Sequence, residues 1–184
     1  MSFLSRAAMA SSAVLLACTP ALAQDATVQA EDYTLSVQTV VDGLSHPWAL
    51  AFISEDQFLV TERNTGALRA GSVHGDLSDP IWIADDLFRF EGETGRSQAG
   101  LFDVKLHPRF ADNGWAYISY SRQTDRGAAV AVIRGTVTNN GDGVAFSEVV
   151  DVFVMKEEDQ DSSGLHFGGR MAFDPHDSSL FLSI

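Results

Sequence analysis

Ser45-His46-Pro47-Trp48-Ala49-Leu50-Ala51-Phe52, a short polar turn at Ser54 to Asp56, then Phe58-Leu59-Val60 is the stretch that decides how this chain folds. A polar entry leads into an apolar run too short for a helix, a turn follows, and a second apolar run returns. The unit recurs. Gln98-Ala99-Gly100-Leu101-Phe102-Asp103-Val104-Lys105-Leu106-His107-Pro108, a loop and Trp115 to Tyr120 make a second copy. His166-Phe167-Gly168-Gly169-Arg170-Met171-Ala172-Phe173-Asp174-Pro175, a loop and Leu180 to Leu182 make a third. Matching Phe52, Leu106 and Phe173 spaces the copies by 54 and 67 residues.

The intervening sequence also reads as strand: Leu35 to Val41, Ala67 to Ala70, Ile81 to Ile83, Ala128 to Val137 and Phe146 to Met155. Turn signals such as Asn64-Thr65-Gly66, Asp112-Asn113-Gly114 and Asn139-Asn140-Gly141-Asp142-Gly143 separate the runs. No helical stripe is found beyond the first residues, so the class is all-β. A repeat of about four strands over roughly 40 to 70 residues is the signature of propeller blades, which are radially repeated four-stranded sheets. A β-sandwich would share the composition, but not a polar entry residue kept at nearly the same place before each strand. In the propeller reading the strand after each entry is innermost. Gln98 and His166 then come to one rim from successive blades, with Ser45 or His46 as the counterpart in the first.

Composition bounds the setting. Arg6, the apolar run Ala7 to Ala17 and the ending Ala21-Leu22-Ala23 read as a secretory signal over residues 1–23, its apolar core too short to span a bilayer. An alternative uses Cys18 as an acylated lipoprotein site, which Leu16 suits poorly. Removing the signal leaves 161 of the 184 residues, enough for one domain. It also removes Cys18, the only cysteine, so neither disulfides nor cysteine metal sites are expected. The formal charge of −13 repels phosphate backbones and anionic lipid, which argues against nucleic acid and membrane as partners. The expectation is a periplasmic or secreted acidic protein without an integral membrane segment after cleavage.

At the repeat residues the sequence resembles the glucose/sorbosone dehydrogenase family, soluble quinoproteins that use pyrroloquinoline quinone (PQQ). Gly43-Leu44-Ser45-His46-Pro47-Trp48-Ala49-Leu50-Ala51-Phe52 with Val60-Thr61-Glu62-Arg63 is similar to the family's first blade. Gln98 to Val104, Leu106-His107-Pro108, Phe110, Asn113-Gly114-Trp115 and Tyr117 to Ser121 resemble its second, and Leu165 to Arg170 its third. The resemblance implies a six-bladed β-propeller with PQQ and Ca²⁺ at the channel mouth. It implies His166 as the general base on a sugar hydroxyl and Gln98 as a residue reaching quinone and substrate. The domain plan is a signal at 1–23, a leader at 24–34, and the amino-terminal part of a propeller at 35–184. Most of the family's quinone-binding cations and Ca²⁺ ligands belong to later blades. The chain is therefore expected to be an incomplete propeller of two to three blades, unstable and inactive alone.

The chemistry is sound for those residue types. Oxidising an alcohol needs a hydride acceptor, which no side chain provides, and a base for the hydroxyl proton. A histidine, with an ordinary pKa of about 6.5, can take that proton near neutrality. The adjacent Gly168-Gly169 would let another backbone or a flat ligand come close. The blander readings are a structural His166, Gln98 as a turn residue and Arg170 anchoring its strand. His46, His74, His107 and His176 read as structural or exposed, and Trp48, Phe52, Trp115, Tyr117 and Phe173 as packing. Glu157 to Gly164 imitates a calcium loop but places Arg170 where the twelfth-position Glu is required, so it reads as a solvated acidic loop. No metal ligand is assigned from the sequence. A noncatalytic carbohydrate- or protein-binding propeller is the rival function, and a Ca²⁺-dependent lactone hydrolase a third. Neither the sugar nor the electron acceptor is legible.

Overall fold

The computed structural model describes residues 26–89, 97–141 and 143–184. The signal at 1–23, with Cys18, lies outside the described residues. Part of the expected leader is strand: β1 (Ala26–Gln29) pairs antiparallel with β2 (Thr34–Val37). Its residues are polar or exposed, which is why hydrophobic pattern did not reveal it. The Thr34 hydroxyl donates to Gln29 Oε1 at 2.8 Å across this hairpin. The hairpin belongs to a unit ending at Thr39, and a second unit runs from Val40 to Ile184.

The second unit is built of antiparallel meanders. β3 (Pro47–Phe52), β4 (Gln57–Glu62), β5 (Ala67–Ser72) and β6 (Trp82–Ile83) form one four-stranded sheet in chain order. β7 (Leu101–Leu106), β8 (Trp115–Thr124), β9 (Gly127–Asn139) and β10 (Val144–Val154) form another. β11 (Met171–Phe173) and β12 (Leu180–Leu182) form a two-stranded sheet. Each copy of the sequence repeat supplies the first two strands of its sheet. Among the described residues helix is confined to one turn, α1 (Phe110–Asn113), ended by Gly114 at φ 66°, and a 3-10 turn at Glu157–Asp159. β7 packs against β3 and β4, and β11 packs against β7, so the first strands of successive sheets are neighbours.

Two apolar layers join the sheets. Leu59, Leu68 and Ala70 of the first sheet cluster with Leu101, Val104, Ile118, Tyr120 and Ile133 of the second. Phe102 and Val130 of the second cluster with Phe167, with Trp48 and Leu182 at the margin. Each fully buried Leu, Ile or Phe contributes roughly 1.5–3 kcal/mol. Phe52 does not follow the packing expectation: it meets Phe58 edge-on at 5.9 Å but is 54 % exposed.

Directional bonds repeat with the sheets. In the first, the buried Thr61 hydroxyl accepts from Ala49 N–H at 3.1 Å and donates to the Phe102 carbonyl on β7 at 2.6 Å. In the second, the buried Ser119 hydroxyl accepts from Asp103 N–H at 3.1 Å and donates to the Gly169 carbonyl. In each case one hydroxyl on a second strand satisfies its own sheet and fixes the first strand or entry segment of the next. Hydroxyls suit this because each both donates and accepts. In the two-stranded sheet, Ser183 Oγ likewise accepts from Arg170 N–H at 3.0 Å.

The start of β3 is held by a buried carboxylate. Glu62 accepts from Ser45 N–H at 2.9 Å, from the Thr65 hydroxyl at 2.9 Å and from Arg69 at 3.4 Å. Burial alone would raise its pKa, but the Ser45, Thr65 and Arg69 donors together hold it below the ordinary 4.5. A carboxylate with a depressed native pKa adds stability that is present above its unfolded pKa and lost as pH falls through the native one. Glu62→Gln is expected to cost about 1–3 kcal/mol near neutrality by weakening charge-assisted bonds and leaving a donor unmatched. The gap between variant and parent should narrow on acidification below pH 4.5, as urea titrations at neutral and acid pH would show.

Candidate functional site

The segment after the acidic loop turns on one residue buried and one exposed. Phe167 is buried, its ring tilted against Phe88 at 6.3 Å and Phe102 at 5.9 Å between ring centroids. With Phe167 turned inward, its neighbour His166 is exposed. His166 has φ +62°, a left-handed conformation uncommon outside glycine, although His is among the residues enriched there.

Gln98 meets this turn twice. Its main-chain N–H donates to the Gly164 carbonyl at 2.8 Å, and its side-chain Oε1 accepts from His166 N–H at 2.8 Å. The two residues expected at one rim are therefore joined across 68 positions of sequence. The remaining expected member, Ser45 or His46, sits at the start of β3. Ser45 is tied to Glu62, and the His46 carbonyl accepts from Arg63 N–H at 3.0 Å. His46 is also left-handed, at φ +52°.

The two glycines make room for the chain itself. A Cβ on Gly168, at φ +64°, would lie 2.7 Å from the Ser183 carbonyl oxygen, and one on Gly169, at φ +85°, 2.6 Å from the Phe102 ring. Of the two expectations, the close approach of another backbone is met at Gly168 by Ser183. At Gly169 an aromatic side chain takes the place open to a ligand.

Arg170 anchors its strand only in part. Its side chain is 60 % exposed, and Nη1 reaches buried Asp103 at 3.5 Å, while Asp103 Oδ2 accepts from Met171 N–H at 2.9 Å. The guanidinium also lies 5.5 Å from the centroid of Trp48, and that of Arg63 lies 5.8 Å from the same ring. Arg63 in turn covers Gly100, two residues beyond Gln98. This pairing of cations on Trp48 was not foreseen from spacing. Its one sequence trace is the Val60-Thr61-Glu62-Arg63 match.

A flat polyanion such as PQQ needs cations and hydrogen-bond donors around it. The residues here fit that group in kind: Arg63 and Arg170 flank Trp48, whose Nε1 is buried without a hydrogen-bond partner among the described residues. The acidic stretch offers no comparable fit for Ca²⁺, and no three His, Cys, Asp or Glu among the described residues are grouped to hold a metal ion. Asp161 is held below the usual carboxylate range by the Ser163 hydroxyl and N–H, with a smaller pull from His166.

The other histidines divide between a structural and an exposed setting. His107 is buried, edge-on to Trp115 at 5.4 Å and to Phe173 at 5.6 Å. Its Nδ1 accepts from Arg109 N–H at 3.1 Å. Burial, then Arg109 and Arg134, lowers its pKa. His46, His74 and His176 are exposed.

Antiparallel meanders joined at their first strands, with a glutamine and a histidine bonded to each other just before two of those strands, define a mostly-β protein of repeated sheets. The chain belongs to the glucose/sorbosone dehydrogenase family, whose model matches residues 44–184. It is 32% identical to the aldose sugar dehydrogenase YliI of Escherichia coli strain K12 over 157 residues, which is 84% of this chain and 39% of that protein. A glucose dehydrogenase structure superposes with TM-score 0.67 at 32% identity, over 80% of this chain and 40% of that one. The PQQ-bound aldose sugar dehydrogenase of Streptomyces coelicolor shares the fold at TM-score 0.57 and 21% identity, over 79% of this chain and 40% of that one. The chain thus spans about two fifths of the length of these relatives. Among the described residues no helix is long and apolar enough to cross a membrane.

Proposed function

We propose that this chain is the amino-terminal part of an exported aldose sugar dehydrogenase with PQQ and Ca²⁺ as cofactors, folded as a six-bladed propeller. The observation that carries the reading is the 2.8 Å bond joining His166 to Gln98 at the end of the sheets where the first strands start. Family membership over residues 44–184 supplies the reaction class, and the YliI relative the substrate class. The acidic composition and the signal-like residues 1–23 support export to the periplasm or medium.

In this reading the His166 imidazole removes the proton from the sugar hydroxyl that is being oxidised. PQQ, when bound, supplies the acceptor for the hydride leaving the same carbon. Arg63 and Arg170 offer charge to the quinone carboxylates, and the Trp48 ring offers a flat apolar surface to the quinone ring. The exposed position of His166 lets a hydroxyl reach the ring without displacing a packed side chain.

The test is reconstitution. Protein expressed from its complete coding region is titrated with PQQ and Ca²⁺, and dye reduction is followed with a panel of aldoses. Turnover that requires both PQQ and an aldose is the expected result. Binding of sugar without PQQ-dependent turnover would replace this reading with a noncatalytic carbohydrate-binding propeller.

A further inference from the structure

We infer that Gln98 is a positioning residue for His166, acting through its carboxamide oxygen rather than as a contact to cofactor. The inference rests on the proposed role of His166 as base. Two observations on different atoms lead to it. Gln98 Oε1 accepts the His166 main-chain N–H at 2.8 Å, so the oxygen is committed to the protein. His166 itself is held at φ +62°, a conformation that a non-glycine residue keeps only where its surroundings determine it.

The two bonds from Gln98 divide the work. The main-chain bond from Gln98 N–H to the Gly164 carbonyl, 2.8 Å, seats the loop and does not depend on the side chain. The side-chain bond then fixes the residue that carries the imidazole. On the far side Phe167 is locked among Phe88 and Phe102, and the Gly169 carbonyl is bonded by Ser119. His166 is thus the turn between a fixed downstream anchor and the Gln98 oxygen. Without that oxygen the backbone at His166 is free to leave the left-handed well, and the imidazole swings with it. A base misplaced by about an ångström loses much of its advantage, since proton transfer needs heavy atoms within hydrogen-bond reach. The inference gives Gln98 Nε2 no necessary part.

Two variants separate oxygen from nitrogen. Gln98→Glu keeps an acceptor at the same reach and removes the NH2 group. Gln98→Met keeps the length and removes both. Both are made in protein expressed from the complete coding region. Hydrogen exchange of the His166 amide is read by NMR, and PQQ-dependent kcat and KM are read at the plateau of the pH profile. A positioning role predicts that the His166 amide stays protected in Gln98→Glu and exchanges roughly 2- to 13-fold faster in Gln98→Met, the factor that the net worth of one hydrogen bond corresponds to. It also predicts that kcat falls in Gln98→Met with KM little changed, and is largely kept in Gln98→Glu.

Equal exchange of the His166 amide in parent and Gln98→Met would overturn the inference. So would a Gln98→Glu protein that keeps amide protection yet loses kcat as fully as Gln98→Met, because the nitrogen would then be the working atom. The exchange measurement needs no turnover. If the parent shows no PQQ-dependent oxidation, the proposed function fails while the exchange result still decides whether Gln98 holds His166.

Discussion

Gly169→Ala is expected to destabilise the fold by about 2–5 kcal/mol, combining a left-handed backbone penalty with overpacking against a rigid neighbour. The backbone cannot relax, because the Gly169 carbonyl accepts from Ser119 and its N–H donates to the Ser183 carbonyl at 2.9 Å. The obstruction cannot move either. The added methyl would lie 2.6 Å from Cδ2 of Phe102, a side chain 1 % exposed and set between Trp48 and Phe167 at 5.9 Å each. Gly141→Ala provides the control. Gly141 has φ +83° with nothing within 4 Å of the methyl an alanine would add, so it carries the conformational cost alone, about 1 kcal/mol. Urea unfolding of both variants beside the parent measures the difference. A Gly169→Ala protein no less stable than Gly141→Ala would mean that Phe102 is not confined as the packing requires.

The fold was legible where pattern and burial coincide. Leu101–Leu106 and Met171–Phe173 are strands with the limits expected from their apolar runs, because each is bounded by turn residues and its side chains enter a core. β8 runs on to Thr124 past the expected end at Tyr120, since Ser121, Arg122, Gln123 and Thr124 pair with Val130, Ala129, Ala128 and Gly127 through main-chain bonds that hydrophobic periodicity does not record. β1 was missed for the same reason. At the site, the repeat brought Gln98 and His166 to the same end of neighbouring strands, and the structure joins them. What it could not disclose was which atoms meet, because a side-chain oxygen on a main-chain N–H leaves no periodic trace. The approach of Arg63 and Arg170 to Trp48 was hidden too, as the three belong to different elements and meet only once β3, β4 and the segment before β11 are packed. Gly168 and Gly169 were legible as a place of close approach, but not the identity of what approaches.

His166→Asn is expected to lower PQQ-dependent kcat by roughly 10² to 10⁴, the range typical of losing a positioned general base. Asparagine is the informative replacement because the backbone matters as much as the ring. At φ +62° an alanine would add a conformational cost of about 1 kcal/mol, and loss of activity could then reflect a displaced loop. Asparagine is one of the few residues enriched in that region, and it keeps the N–H that Gln98 binds. The amide side chain can hydrogen-bond a sugar hydroxyl but cannot take its proton. The variant should therefore bind PQQ as the parent does, with a near-parental KM for sugar, and fail in the chemical step. A primary isotope effect with sugar deuterated at the oxidised carbon would emerge or grow, since bond cleavage then limits turnover. Unchanged kcat in His166→Asn would remove the imidazole from the reaction and leave the Gln98 bond with a purely structural purpose. Loss of PQQ binding with kcat preserved at saturation would move His166 from base to cofactor contact. In the proposed reaction this corner meets two chemical demands: a left-handed turn that only a few residues tolerate, and a base whose ordinary pKa lies near neutrality, which of those few only histidine provides.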